Sequence, residues 1–245
     1  MKQSVADSCS SCTKLAEQHE QYHTLISQIS HEIRNPLTLI CSSLQLIAKE
    51  YPAVTETALW PQVQQDLQDT IRLLEEISLL NRSTACRMDI FSVWDLLCGA
   101  ASSFQALMQE RQICFTAEFA PELQHCTGLG DPILLKEVLW NLLLNAADAV
   151  TAPMDQAMIR LTAAHCNDQL LIHVYDNGVG IPDEYLPTLF DPFVTHKSGG
   201  TGLGLCIAKR AAQQHNGTLT VEIRPDQTFC TDFCLTLPLG ERDSL

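Results

Sequence analysis

Glu137-Val138-Leu139-Trp140-Asn141-Leu142-Leu143-Leu144-Asn145-Ala146-Ala147-Asp148 is the stretch on which the fold of the second half of the chain turns. Residues 137, 141, 145 and 148 are its only polar positions, in steps of four, four and three. On a helix this spacing draws one polar stripe along an otherwise apolar cylinder. Asparagine is a poor helix former, because its amide competes for backbone hydrogen bonds. Two asparagines stacked on one face therefore point to a ligand, with a solvent-facing stripe as the plainer alternative. Amide oxygens suit Mg2+, which takes few protein ligands and completes its shell with phosphate and water.

Two glycine clusters lie downstream. Asp176-Asn177-Gly178-Val179-Gly180 directly follows a strand pattern over Leu170–Tyr175. Gly199-Gly200-Thr201-Gly202-Leu203-Gly204-Leu205 directly precedes a helical pattern. Glycines let backbone N–H groups approach a phosphate closely, and a helix N-terminus adds the positive end of its dipole. Either cluster alone is a weak sign, since most glycine turns are only turns. Together with the asparagine stripe they point to a nucleotide. The chain holds neither G-x-x-x-x-G-K-[ST] nor G-x-G-x-x-G, so a P-loop and a Rossmann site are both unsupported. Among the few local cations, Lys197 is the best placed to meet phosphate.

The surrounding region, Asp89 to Leu237, mixes periods. Helices are predicted at Val93–Gln109, Pro132–Val150 and Gly202–His215. Strands are predicted at Ile113–Phe119, Met158–Ala164, Leu170–Tyr175, Thr218–Ile223 and Phe229–Leu237. The mixture predicts an α/β sandwich, a sheet covered by helices on one face. The tail after Pro238 is expected to fray.

The first half reads differently. Tyr22, Ile26, Ile29, Ile33, Leu37, Ile40, Leu44 and Ile47 recur in steps of three and four, a seam close to a heptad. The pattern breaks at Tyr51-Pro52 and resumes at Trp60, Val63, Leu67, Ile71, Leu74, Ile77 and Leu80, with Pro61 tolerable in a first turn. Two helices joined by a short loop make an antiparallel hairpin, which by itself has little to bury its seam against. Two hairpins make a four-helix bundle, so a homodimer is expected. The polar stretch Asn81–Met88 reads as a linker. The domains are thus set at 1–12 (N-terminal tail), 13–84 (helical hairpin), 85–240 (α/β domain) and 241–245 (tail), an α+β chain as a whole.

Within the first helix lies Ser30-His31-Glu32-Ile33-Arg34-Asn35-Pro36. His31 falls two residues before Ile33 and five after Ile26, off the seam. Glu32 is its neighbour and Asn35 sits one turn on. Pro36 removes the N–H that would bond the carbonyl of Glu32, so a bend is expected. An exposed imidazole with a carboxylate at hand is a nucleophile whose ring the carboxylate orients and deprotonates.

Composition narrows the function classes. The 245 residues hold 15 Lys and Arg against 29 Asp and Glu, a formal net charge of −14. A nucleic-acid partner is not expected of such a chain, which lacks the basic face that displaces counterions. The apolar fraction of 46% suffices for a sizeable core. No window is apolar enough to span a membrane and the first thirty residues hold no signal-peptide core, so a cytoplasmic location is expected. Eleven cysteines, an odd number and mostly scattered, read as small core residues. Cys9 and Cys12 have the spacing of a metal knuckle, with His19 and His23 sharing a helix face beyond them; a frayed end with free thiols is the alternative.

Taken in order, these motifs resemble those of two-component sensor histidine kinases. His31-Glu-Ile-Arg-Asn-Pro36 resembles their H-box and Asn141 to Asn145 their N-box. Asp176-x-Gly-x-Gly180 is similar to the G1 box, Phe190-Asp-Pro-Phe193 to the F box, and Gly200-Thr-Gly-Leu-Gly204-Leu to the G2 box. The resemblance runs from about Leu15 to Pro238, and the segment after Phe193 is close to nitrogen-regulation-type kinases. It implies a dimerisation and phosphotransfer hairpin followed by a GHKL-type (Bergerat) ATP-binding domain. His31 would be the phosphoacceptor, Glu32 its base, and Asn35 the residue that orients a water in the reverse reaction. Asn145 would ligate Mg2+, with Asn141 close by, and Asp176 would accept from the adenine amino group. Gly178, Gly180, Lys197, Thr201, Gly202, Leu203 and Gly204 would line the ATP site, with Phe190 to Thr201 as a lid. Relatives carry Lys or Arg just after the second N-box asparagine, where this chain has Ala147 and Asp148. The implied activity is autophosphorylation from ATP and transfer to an aspartate on a response regulator receiver domain, with dephosphorylation of that regulator. A dimeric adaptor with a decayed ATP domain is the alternative. About a dozen residues precede the hairpin, which leaves the input to a partner, to the N-terminus or to a longer chain.

Overall fold

The computed structural model describes residues 29–30, 32–82, 87–150, 156–197, 200–224 and 228–239, with the backbone alone at 79–82. The chain divides into two compact units, Met1–Ala85 and Cys86–Leu245.

In the first unit, helix α1 covers residues 32–50 and helix α2 covers Leu59–Arg82. The 3-10 turn Pro52–Glu56 lies between them. Pro52 supplies the fixed φ of its first position, and the Thr55 and Thr57 hydroxyls donate to the carbonyls of Pro52 and Val54. α1 continues through Pro36, and the Thr38 hydroxyl donates to the Arg34 carbonyl at 2.9 Å. α2 opens two residues before Pro61 and extends through Arg82, into the stretch read as a linker. Trp60 and Leu74 are buried, whereas Ile29, Ile33, Ile40 and Ile47 are all more than 40% exposed.

The second unit is an α/β sandwich. Strands β1 (Asp89–Ser92) and β3 (Thr127–Gly130) form a small antiparallel pair. The main sheet holds β2 (Cys114–Phe119), β4 (Met158–Cys166), β5 (Gln169–Asp176), β6 (Thr218–Ile223) and β7 (Thr231–Pro238) in the order β2-β4-β5-β7-β6. It is mixed: β2 and β4 run parallel and the other pairs antiparallel. Helices α3 (Val93–Glu110), α4 (Pro132–Ala149) and α5 (Gly204–Gln214) supply the other layer. Burial alternates along β5, with Leu170, Ile172, Val174 and Asp176 buried and the residues between them half-buried. One face of the sheet therefore packs on the helices, as the period-two pattern requires. Leu135, Leu139, Leu142 and Leu143 of α4 are fully buried beside Phe104 of α3.

β1 and β3 were not anticipated. They are four residues long, shorter than the periodicity needs to register. Gly128 faces the ring of Phe91, where a Cβ would come within 2.5 Å, so glycine admits the aromatic ring. α4 begins at Asp131, whose carboxylate accepts from the N–H groups of Ile133 and Leu134, with Pro132 at the first helical position. His215, buried at the end of α5, ties this start in place. Its Nε2 accepts from the Asp131 N–H at 2.9 Å, which leaves Nδ1 to donate to the Ala211 carbonyl.

Candidate functional site

The site is built where α4, the loop after β5 and the start of α5 meet. Along α4, Glu137, Asn141 and Asn145 are half-buried and Asp148 is exposed, while the leucines and alanines between them face the core. α5 begins at Gly204 with no side-chain cap. A Cβ at Gly204 would lie 3.3 Å from Asn141 Oδ1, so the bare glycine lets the N-terminus of α5 sit against the stripe. The first N–H groups of a helix have no intrahelical acceptor, and here they open beside two amides.

Asp176 ends β5 with its side chain buried. One carboxylate oxygen accepts from the Gly178 N–H at 2.9 Å, and the Thr231 hydroxyl donates to the same carboxylate. Desolvation pushes its pKa from the usual 3.8 up to about 6, although Gly178, Thr231 and the charge of Lys197 pull the other way. The turn that follows is held against α4. A Cβ at Gly178 would meet the Ala149 carbonyl oxygen at 2.5 Å, and the Val179 N–H donates to that same oxygen. Gly180 has φ +70°, in the left-handed region. Asn177 was not singled out from the sequence. Its amide oxygen accepts from the Met158 N–H and its amide nitrogen donates to the Gln156 carbonyl, so it clamps the start of β4 to the end of β5.

The second glycine loop has a similar logic. Gly202 has φ +70°, and a Cβ there would strike the backbone of Phe193 and Val194 at 2.6–2.8 Å. The Phe193 N–H donates to the Gly202 carbonyl, which ties the F-box segment to the loop. The Thr201 hydroxyl accepts from the N–H of the buried Leu203. Between these points, the Lys197 ammonium donates to Asn145 Oδ1 at 2.8 Å and Asp148 Oδ2 at 3.1 Å. Phe190 packs on the core with the Lys209 ammonium over its ring, and Tyr185 stacks on His196.

Asn141, Asn145, Asp176, Gly178, Gly180, Lys197, Thr201, Gly202, Leu203 and Gly204 thus belong to one region of the second unit. Glu32 and Asn35 are exposed on α1 of the first unit. His31, Cys9, Cys12, His19 and His23 lie outside the described residues, as do Ser198 and Gly199. This region brings together bare backbone donors at a helix start, two amides, an ammonium and a buried carboxylate, groups that can hold an anion and accept from a ring amine.

Residues 130–241 match the family of histidine kinase-, DNA gyrase B-, and HSP90-like ATPases. Sporulation kinase D of Bacillus subtilis is 28% identical over 232 residues, covering 92% of this chain and 43% of its own length. Sensor histidine kinase ZraS of Escherichia coli is 32% identical over 220 residues, covering 88% of this chain and 45% of its own. The chain therefore spans less than half the length of these relatives. The nucleotide-free catalytic domain of histidine kinase ThkA superposes with a TM-score of 0.54 at 26% identity, covering 62% of this chain and 95% of that one. Full-length ShkA in complex with AMPPNP shares the fold, with a TM-score of 0.70 at 22% identity over 88% of this chain and 45% of its own.

Proposed function

Because the chain belongs with the sensor histidine kinases and carries a GHKL-type ATPase domain, we propose that it autophosphorylates His31 from ATP and passes the phosphoryl group to an aspartate of a response regulator receiver domain. The observation that carries this reading is the buried Asp176–Thr231 pair, held by the Gly178 N–H, in the same unit as a helix start at Gly204 seated against Asn141. Asp176 accepts the adenine amino group. The start of α5, with Thr201, Gly202, Leu203 and Gly204, holds phosphate. Gly178 and Gly180 shape the turn against the base.

Mg2+ fits the donors at hand. Asn145 Oδ1 already accepts from a cation, the Lys197 ammonium, and Asp148 adds a second oxygen beside it. Asn145 would hold the metal, which when bound neutralises charge on the β- and γ-phosphates. The chain's own residues do the rest. A ring nitrogen of His31 attacks the γ-phosphorus, ADP leaves, and Glu32 takes the ring proton. A receiver aspartate carboxylate then attacks the phosphohistidine and frees the imidazole. In the separate dephosphorylation of the regulator, Asn35 holds the water that attacks the aspartyl phosphate and releases inorganic phosphate. The first unit forms a dimeric four-helix bundle through the α1 seam, and the catalysis belongs to the cytoplasm. No described helix is long and apolar enough to cross a membrane.

Incubation with ATP labelled at the γ-phosphorus tests the proposal. Wild-type chain should take up label that is acid-labile and alkali-stable. His31→Gln should take up none while binding ATP normally by calorimetry. Label retained in that variant would move the acceptor elsewhere, and failure of the wild type to bind ATP would remove the reading altogether.

A further inference from the structure

β5 and β7 carry different chemistry on their two faces. Inward, Asp176 and Thr231 belong to the nucleotide site. Outward, on the face away from the helices, the register sets His173 opposite Cys234 and Tyr175 opposite Asp232. His173 Nδ1 lies 2.8 Å from Asp232 Oδ1, and His173 Nε2 lies 3.6 Å from Cys234 Sγ. The Thr236 hydroxyl is 3.8 Å from the same sulfur. Tyr175 stacks on the imidazole with ring planes 3° apart, which holds its plane upright. Other charges on this face are the Arg224 guanidinium, which donates to Asp232 Oδ2 at 3.3 Å and also to Glu222, and Arg160 of β4, which lies opposite Tyr175 and pairs with Glu118 of β2.

The Asp232 side chain is only 4% exposed, and a buried carboxylate needs such partners. With Nδ1 committed to Asp232, Nε2 is the ring nitrogen left to face the sulfur. The imidazole's hold on its second proton is strengthened to a pKa of about 10, chiefly by the Asp232 hydrogen bond and then by Cys234. A carboxylate orienting an imidazole that faces a nucleophile is the arrangement that activates a thiol, and none of these three residues belongs to the nucleotide site.

We propose that Cys234 is a reactive thiol on the outer sheet face, a modification site for hydroperoxides, with the His173 imidazolium as its charge partner and as proton donor to the leaving oxygen, and Asp232 as the positioning residue. The thiol proton is lost to solvent, and the His173 imidazolium, whose Nε2–H faces Sγ, stabilises the thiolate. Sulfur attacks the terminal oxygen of the hydroperoxide, a sulfur–oxygen bond forms and the oxygen–oxygen bond breaks. The leaving alkoxide, or hydroxide from hydrogen peroxide, takes the proton from Nε2, which solvent then restores. Cysteine sulfenic acid and an alcohol or water result: sulfur is oxidised by two electrons and the peroxide is reduced by the same two. The site fits this class of oxidant. A small uncharged oxidant reaches a half-buried sulfur, and its leaving oxygen finds two donors, Nε2–H and the Thr236 hydroxyl.

The other cysteines provide the control. Cys114 and Cys166 are exposed, whereas Cys234 is half-buried and Cys206 is buried. Among the described cysteines, exposure alone would rank Cys114 and Cys166 first. The reduced full-length chain is treated with hydrogen peroxide, sulfenic acid is trapped with dimedone, and each thiol is followed by peptide mass spectrometry. Cys234 should react at least ~10-fold faster than Cys114 or Cys166 in the wild type, the scale of one positioned proton donor. His173→Gln should remove that advantage and leave Cys114 and Cys166 unchanged, and Asp232→Asn should reduce it. A wild-type Cys234 no faster than the exposed pair overturns the proposal, whatever the variants do. A His173→Gln variant that melts as the wild type does and keeps the fast rate overturns it equally. Fast alkylation by iodoacetamide with slow reaction towards peroxide would overturn the assignment to hydroperoxides.

Discussion

Asp176 shows most directly how burial and binding compete at one residue. Its carboxyl is raised to about 6 because the fold removes water from it. An acid whose folded pKa exceeds its unfolded value stabilises the fold fully below the unfolded value, near 4, and loses that contribution as the pH rises through about 6. At neutral pH the ionised group therefore costs the fold on the order of 3 kcal/mol, converting the shift at 1.36 kcal/mol per unit. That cost has a use if the carboxylate accepts from adenine, because a protonated acid is a poorer acceptor. ADP affinity should therefore fall as the pH drops from 7 through 6. The phosphates titrate in the same range, so the comparison is with Asp176→Asn, whose amide oxygen still accepts but does not ionise. Calorimetry across pH 5 to 8 should show the wild-type curve steeper than that of the variant. Parallel curves would mean that Asp176 does not meet the base as an anion. Asp176 was legible in the sequence because a carboxylate between a strand and two glycines is conspicuous. Asn177 was not: its clamp onto Met158 and Gln156 depends on partners about twenty residues upstream, which no local pattern encodes.

At the scale of elements, the long and strongly periodic pieces could be read ahead. α3, α4 and all five strands of the main sheet appear within a few residues of their predicted bounds. α5 starts at Gly204, two residues later than expected, because Gly202 sits at φ +70° and cannot be helical. The segment before it bears on the site through Lys197. The resemblance leads one to expect a cation just after Asn145, whereas here Asp148 stands nearby and binds the Lys197 ammonium. The ion pair is exposed at both ends, 43% and 49%, so it should add at most about 1 kcal/mol to stability. Lys197→Ala should thus leave the melting temperature within a few degrees and lower ATP affinity by roughly 10-fold, the loss of one charge-assisted phosphate contact. Unchanged affinity would leave the ammonium as a partner of Asp148 alone. α1 offers a separate test. Asn35 is exposed one turn from His31, and a side-chain amide can position water without ionising. Asn35→Ala should keep autophosphorylation and slow regulator dephosphorylation by roughly 10- to 100-fold, if positioning the water is worth ~1.4–2.7 kcal/mol. Equal loss of both activities, with a lower melting temperature, would give Asn35 only the task of supporting the helix beside Pro36.

For the whole molecule, the decisive quantity is apolar surface that one chain leaves uncovered. Ile29, Ile33, Ile40 and Ile47 are 47%, 42%, 48% and 42% exposed, in steps of four, seven and seven. Singly exposed isoleucines are ordinary, but a stripe at heptad spacing from Ile29 to Ile47 is what the proposed bundle would bury against a second copy. Isologous pairing covers it with the same residues from a second copy, and no other segment has to be invoked. Burying the exposed part of each isoleucine contributes on the order of 1 kcal/mol, and a two-fold interface counts every residue twice. Association should therefore hold at micromolar concentration, and light scattering should report twice the chain mass of 27.2 kDa. The net charge of −14 on each chain opposes the pairing at long range, so added salt should tighten the dimer. Ile40→Glu with Ile47→Glu places like charges on facing seams and should yield monomers. The second unit has its own core, so ATP affinity in that variant should be unchanged, which separates dissociation from unfolding. A wild-type monomer, or a dimer that survives both glutamates, would show that the seam is covered by something other than its own copy.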